Sequence, residues 1–197
     1  MPSPRPEKSP PPTLQALIIG YGSPIRGDDA IGPLAADRLA ELGLPGVEVQ
    51  ARHILTAELV EDLVRTERAI FMDAAADAEP GEVCCREIGP DSGSLSTMAH
   101  FHDPRELLAW CQTLYGRAPR AWLITAGGAD FGYASYSLTP IAETALQTMV
   151  ETAQTIAAVP LSLASGDVPN GAGRPLAARL QPGEVDVTEE SDRHRPG

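Results

Sequence analysis

The sequence predicts an α/β fold, a three-layer α/β/α sandwich around a mostly parallel, twisted sheet of about five strands. Three observations lead there. Short apolar runs alternate with segments of helical spacing from residue 14 to residue 158. The runs at 14–20 and 68–72 are apolar almost throughout, as strands covered on both faces must be. Glycine- and proline-marked turns separate the two kinds of segment.

Residues 14–20 read as a buried first strand. A helix follows over 31–42, where Leu34, Ala35, Arg38, Leu39 and Leu42 recur at helical spacing and Gly43 supplies a stop. Residues 47–51 form a short second strand, 57–66 a helix, and 68–72 an apolar third strand ending on Asp73. The turn Glu79-Pro80-Gly81 introduces a fourth strand at 82–88, whose period-2 pattern fits an exposed, antiparallel edge. Residues 104–115 read as a helix with Asp103 as N-cap and Pro104 in its first position. A fifth strand at 121–126 precedes a long helix at 139–158, which again carries a proline, Pro140, in its first turn. No internal repeat is visible. The domain therefore spans 13–159, between a proline-rich, disordered leader at 1–12 and a flexible Pro/Gly/charged tail at 160–197.

Charge narrows the partners. A formal net charge of −12 over 197 residues argues against a nucleic-acid partner, because a phosphate-backbone binder needs a basic stripe to displace counterions. No apolar run approaches the roughly 20 residues of a membrane span, and Met1 to Pro12 lacks the apolar centre of a signal peptide, so a cytoplasmic protein away from membranes is expected. Cys84, Cys85 and Cys111 have no C-x-x-C spacing and read as reduced, packed thiols.

The chemistry concentrates in the loop from Gly20 to Pro33, between the first strand and its helix: Gly20-Tyr-Gly22-Ser-Pro-Ile-Arg-Gly27-Asp28-Asp29-Ala-Ile-Gly32-Pro33. A glycine-rich loop opening a helix usually cradles phosphate. This one lacks G-x-G-x-x-G, has no Gly-Lys-Ser/Thr, and places two carboxylates where phosphate would sit. Such a loop repels anions and favours a cation. Asp28 and Asp29 could equally cap the helix, and Asp73 could serve a turn. Set against this, open α/β sheets bind ligands beyond the carboxyl ends of their strands, which is where the first strand delivers Asp29 and the third delivers Asp73. Histidine is the third contributor: His53 and His194 are weak candidates, while His100 and His102 lie just before the Pro104 helix. Two carboxylates and an imidazole make an N/O site for a divalent first-row metal. Neither H-E-x-x-H nor G-x-S-x-G is present.

These residues resemble the [NiFe]-hydrogenase maturation protease family. The likeness lies in Gly20-x-Gly22 with Gly27-Asp28-Asp29-x-x-Gly32, in Phe71-Met-Asp73-Ala, in His100 with Glu106-Leu-Leu108, and in the Gly127 loop with Leu138-Thr-Pro140. It runs from about Leu14 to Ala158. The resemblance implies an endopeptidase that removes the C-terminal extension of a [NiFe]-hydrogenase large-subunit precursor after nickel insertion. It implies Asp29, Asp73 and His100 as the catalytic and metal-engaging trio, with His102 as the alternative to His100. Nickel would arrive on the substrate, and another divalent metal could take its place in vitro. Asp28 would position the loop or act as a base. Ser23 and Ala30 stand where the family often has Asn and Gly, and some members carry Glu at the Asp29 position. A non-catalytic, nickel-sensing assembly factor for the large subunit is the alternative from another class.

Overall fold

Six consecutive buried residues, Ala16–Tyr21, form β1, and their side chains divide between the two faces of a sheet. The structure, a computed structural model, describes residues 14–91, 100–101 and 103–159, with the side chains of 100 and 101 left out. The leader at 1–12, the tail at 160–197, and His102 and His194 lie outside the described residues.

The elements run β1 (Ala16–Tyr21), a 3-10 turn (Gly27–Ala30), α1 (Ile31–Glu41), β2 (Val47–Arg52), β3 (Leu55–Thr56), α2 (Leu59–Val64), β4 (Arg68–Ala75) and β5 (Val83–Ile88). After them come β6 (His100–Phe101), α3 (Pro104–Tyr115), β7 (Arg120–Gly127) and α4 (Pro140–Ala158). The main sheet has five strands in the order β2-β1-β4-β7-β5. All neighbours are parallel except β5, which pairs antiparallel with β7 at the edge. Ala16, Ile18, Ile70, Met72 and Ile124 face α1 and α4. Leu17, Ile19, Tyr21, Phe71 and Leu123 face α2 and α3. The predicted three layers and exposed antiparallel edge are thus present, with apolar burial on both faces as the driving force.

Helix α1 sits unusually close to the sheet. A Cβ on Gly32 would lie 2.4 Å from the carbonyl oxygen of Tyr21 and 2.5 Å from that of Met72. Only hydrogen fits there, which lets the first helix press on β1 and β4 at their carboxyl ends. Gly43, at φ +57°, then ends the helical segment in the left-handed conformation expected of it. The prolines announce helix starts as anticipated: Asp103 accepts from the backbone N–H of Arg105 before Pro104, and Thr139 accepts from that of Ala142 around Pro140.

Two expectations need correction, and one further element is present. The second helix is only six residues long, because i→i+3 bonds from Val60 to Ala57, Glu61 to Glu58 and Arg65 to Asp62 tighten both of its ends into turns. The third strand does not end at Asp73: β7 offers a parallel partner through Asp73↔Thr125, Ala74↔Ala126 and Ala75↔Gly127, so β4 continues to Ala75. The small antiparallel ladder of β3 with β6, pairing Leu55↔Phe101 and Thr56↔His100, was not anticipated, since two-residue strands carry no periodicity.

At the opposite end of the sheet two arginines close helices. Arg68 is 3% exposed although it opens an apolar strand. Its guanidinium donates to the carbonyls of Ile156, Ala157 and Val159, satisfying the last turn of α4 and meeting the negative end of its dipole. Arg117 donates to the carbonyls of Val64 and Thr66 at the end of α2 in the same way. No helix among the described residues is long and apolar enough to cross a membrane.

The close approach of α1 generates a test. Gly32→Ala places a methyl between two backbone carbonyls that cannot swing aside, so chemical denaturation should show a loss of about 3 kcal/mol or more, the upper end of overpacking costs. A midpoint unchanged from the parent would show that the helix can lift off the sheet at no cost.

Candidate functional site

The strand order reverses direction at β1. The chain passes from β1 through α1 to β2 on one side, then through α2 to β4 on the other. A crevice therefore opens between the carboxyl ends of β1 and β4, the position where doubly wound sheets bind ligands.

Register brings chemistry to that crevice. Gly20 pairs with Met72, so the next residues, Tyr21 and Asp73, are neighbours on the face covered by α2 and α3. The Tyr21 hydroxyl donates to the Asp73 carboxylate. Asp73 Oδ1 also accepts from the backbone N–H of Ala74 at 2.8 Å. Gly22, at φ +143°, lets the chain turn sharply after β1, and a Cβ there would lie 2.0 Å from the Asp29 carbonyl oxygen. The loop folds back on itself, and the Ser23 N–H donates to Asp29 Oδ2 at 3.1 Å. Asp29 stays partly exposed and close enough for its charge to act on Asp73.

Asp28 and Asp29 are adjacent in sequence and opposite in fate. Asp28 is fully buried and accepts from the N–H groups of Ala129 at 2.7 Å, Asp130 at 3.0 Å and Thr139 at 2.7 Å, and from the Thr139 hydroxyl at 2.9 Å. Of the two roles considered for Asp28, positioning is the one its geometry serves, since every acceptor direction is occupied by the β7–α4 segment. Burial is the largest single influence and opposes its charge, but the four donors together hold its carboxyl below the ordinary range.

Asp73 shows the reverse balance. Burial raises its pKa most, the Tyr21 and Ala74 hydrogen bonds pull it down, and the Asp29 charge pushes it up, leaving it at about 6. Burial likewise holds the Tyr21 hydroxyl above its ordinary range, reinforced by the charges of Asp73 and Asp103 and opposed by that of Arg86. Tyr21 therefore keeps its proton at physiological pH, with its hydroxyl beside Asp73. Asp103 is held below its usual range, where burial opposes its charge and Arg105, donating from both side chain and backbone, stabilises it.

Of the predicted trio, Asp29 and Asp73 come together. His100 is placed through its backbone alone: β6 pairs it with Thr56, just beyond the end of β2, whose Arg52 is in register with Tyr21. Three residues later Asp103 caps α3 within electrostatic reach of Tyr21. The His100 segment is thus placed after β2, and Asp103 at the start of α3. Among the described residues no three His, Cys, Asp or Glu side chains form a metal-holding group. His53 lines a cleft of about 260 Å³ with Arg52, Thr56, Glu58 and Asp62. The three cysteines are free thiols; burial pushes Cys85 up to about 11 and Cys111 up to about 12, which keeps both protonated and unreactive at neutral pH.

Sequence reasoning missed Tyr21 and Thr139 as members of the site. The signal for Tyr21 was register, since a residue that ends β1 beside Asp73 must meet it. Thr139 was visible only as the start of the last helix, and its bond to Asp28 spans 111 residues.

No protein-family model and no curated protein matches the sequence. Solved structures do resemble it. The hydrogenase maturating endopeptidase HybD from Escherichia coli superposes with a TM-score of 0.57 at 20% identity, covering 73% of this chain and 91% of that one. The [NiFe] hydrogenase maturation protease HycI from Thermococcus kodakarensis gives 0.55 at 23% identity, covering 73% and 90%. The hydrogenase 2 maturation peptidase from Thaumarchaeota archaeon SCGC_AB-539-E09 gives 0.53 at 22% identity, covering 74% and 99%.

The two aspartates should respond oppositely to substitution. A carboxyl held below its unfolded pKa stabilises the protein above that value, and the stability is lost as pH falls through the folded pKa. Asp28→Ala, which also strands four donors, should cost at least about 3 kcal/mol at pH 7. A carboxyl held above its unfolded pKa costs stability progressively as pH rises from its unfolded value of about 4 to its folded value of about 6, and fully above that. Asp73→Asn should therefore raise the melting temperature of the metal-free protein at pH 7.5, by up to about 3 kcal/mol in stability, and lose this advantage at pH 4. Urea titrations at both pH values decide it; equal losses for both variants would remove the distinction. Asp29 and Asp73 thus lie together at the switch point of a chain that has the fold of the hydrogenase maturation peptidases.

Proposed function

We propose that the chain is an endopeptidase of the hydrogenase maturation protease family, acting on the C-terminal extension of a [NiFe]-hydrogenase large-subunit precursor that carries nickel. The observation that carries this reading is the convergence of Asp29 and Asp73 at the switch point, with Asp73 held at about 6 by burial and by its acidic neighbour. A site that keeps two carboxylates together in partial burial lowers its energy by receiving a cation. The likeness in fold to maturation peptidases over 73% of the chain supports the same assignment.

Each residue has a task. Asp29 and Asp73 supply oxygen donors, and His100 would complete an N/O set suited to a divalent first-row ion. Nickel belongs to the substrate, so the trio reads whether the precursor has been loaded, and an unloaded precursor is not held. A cation so held polarises the adjacent peptide carbonyl or activates water. Tyr21 fixes the orientation of Asp73 through its hydroxyl. Asp28 holds the loop that carries Asp29 against the β7–α4 segment. The acidic balance of the chain fits a protein partner rather than nucleic acid.

Mass spectrometry of a nickel-loaded large-subunit precursor, incubated with the protein, tests the proposal beside a nickel-free control. Shortening of the loaded precursor alone is expected, with Asp29→Asn, Asp73→Asn and His100→Ala each losing processing at least about a hundredfold while staying folded, as losing a charged group that acts on the reacting centre does. Because kcat/KM reports the free enzyme, it should rise with pH through about 6 as Asp73 ionises. Binding of the loaded precursor without any shortening would instead favour the nickel-sensing assembly factor.

A further inference from the structure

Between β7 and α4 the chain carries two large aromatic side chains in water. Tyr133 is 83% exposed and Tyr136 is 75% exposed. Neither packs on the core, yet the chain around them is tied to the loop after β1. The Gly27 N–H donates to the Ser135 carbonyl and the Asp28 N–H to the Asp130 carbonyl, each at 2.8 Å. Asp130 in turn accepts from the Gly132 N–H at 2.8 Å and from the Ser135 hydroxyl at 3.0 Å. A parallel bridge joins Arg26 to Ser135. Between the tyrosines, Ala134 stands at φ +62°, a left-handed conformation that costs a residue with a side chain and persists only where its surroundings hold it.

A solvated loop needs neither this bonding nor this strain. Fixing a backbone in order to display two tyrosines is the arrangement of a binding surface, where Tyr gives large contact area at little entropic cost and anchors affinity. The location is also informative. The segment begins at the carboxyl end of β7, the same edge that holds Tyr21 and Asp73, and its flanking residues Ala129 and Thr139 donate directly to Asp28, the residue before Asp29. The rings project too far into solvent to wall a small-molecule pocket. They fit a protein surface.

We propose that Tyr133 and Tyr136 form the docking platform for the folded body of the substrate protein, seating it so that its metal-bearing segment reaches the Asp29–Asp73 crevice. This rests on the function proposed above. The chain holds 27 acidic against 15 basic residues, so the complementary surface is neutral to basic, with an apolar recess for the two rings. Because the platform and the loop carrying Asp29 are one hydrogen-bonded unit, docking and metal engagement share a fixed geometry. The tyrosines set binding rather than chemistry.

The test uses the full-length protein and a nickel-loaded [NiFe]-hydrogenase large-subunit precursor, with Kd, KM and kcat measured for the parent, for Tyr133→Ala/Tyr136→Ala and for Tyr133→Phe/Tyr136→Phe. The alanine pair should raise Kd and KM about tenfold or more, with kcat within about twofold, while the phenylalanine pair stays within about threefold of the parent. Circular dichroism and melting should match for all three; if the alanine pair melts early, Tyr133→Ala and Tyr136→Ala singly are judged by the same thresholds. Unchanged Kd and KM in the alanine variants overturn the platform. So does a parent protein that sediments as a dimer and an alanine variant that does not, since a second copy would then be the occupant. A parent that binds the precursor without cutting it, with binding lost in the alanine pair, leaves the platform standing and removes the peptidase reading. A parent that neither binds nor cuts removes both.

Discussion

The geometry of the candidate site depends on one buried carboxylate. Asp28 reaches zero exposure beside the opening turn of α1, and taking an ionised group out of water is prohibitive unless its lone pairs are fully met. Three backbone N–H groups and a hydroxyl meet them, all from the segment 129–139. The consequence is mechanical. The loop after β1 and the loop after β7 meet across the one intervening strand, β4, and become one rim, with the start of α4 fastened to it through Thr139. Asp29 inherits its orientation from that fastening, because its neighbour in the chain cannot turn.

Much of the fold was legible because burial on two faces writes itself into composition. Helices such as 31–42 carry a period that no strand shares, runs such as 68–72 are short and continuously apolar as doubly covered strands are, and the prolines at 104 and 140 mark helix starts for a reason internal to the backbone. The antiparallel edge was readable in the alternating polarity of 82–88. What could not be read is whatever depends on pairing between distant segments. The continuation of β4 past Asp73 requires β7 beside it, and the ladder between Thr56 and His100 requires two segments too short to signal anything alone.

The candidate site divides in the same way. Asp29 and Asp73 were visible because charge at the end of an apolar strand demands a reason, and topology supplied it. That Asp28 is a buried clamp while Asp29 faces the crevice was not visible, since both sit in the same turn and differ only in which side of the chain meets the β7–α4 segment. Tyr21 was hidden by its ordinary character as an aromatic residue at a strand end. Its role follows from register alone, a hydroxyl beside Asp73 that stays protonated and so always donates.

A glycine loop leading into a helix is, in many α/β proteins, a place for phosphate, because the helix N-terminus presents positive dipole and free N–H groups. Here the same architecture is turned to the opposite charge. The chain supplies its own anions to that position, Asp28 and Asp29 in the opening turn, and then sets Asp73 against them from β4. Close backbone approach is still required, since Gly32 admits no side chain between α1 and the carbonyls of Tyr21 and Met72. The glycines therefore serve packing rather than ligand access. With Asp28 spent on the β7–α4 segment, Asp29 and Asp73 leave an excess of negative charge at the switch point, and a cation carried in by another protein is the species that would relieve it. On the proposed function, a rigid rim is what such a cation would need: fixed in a partner's own ligand field it would not adjust its position, so carboxylates that received it would have to be held in place beforehand.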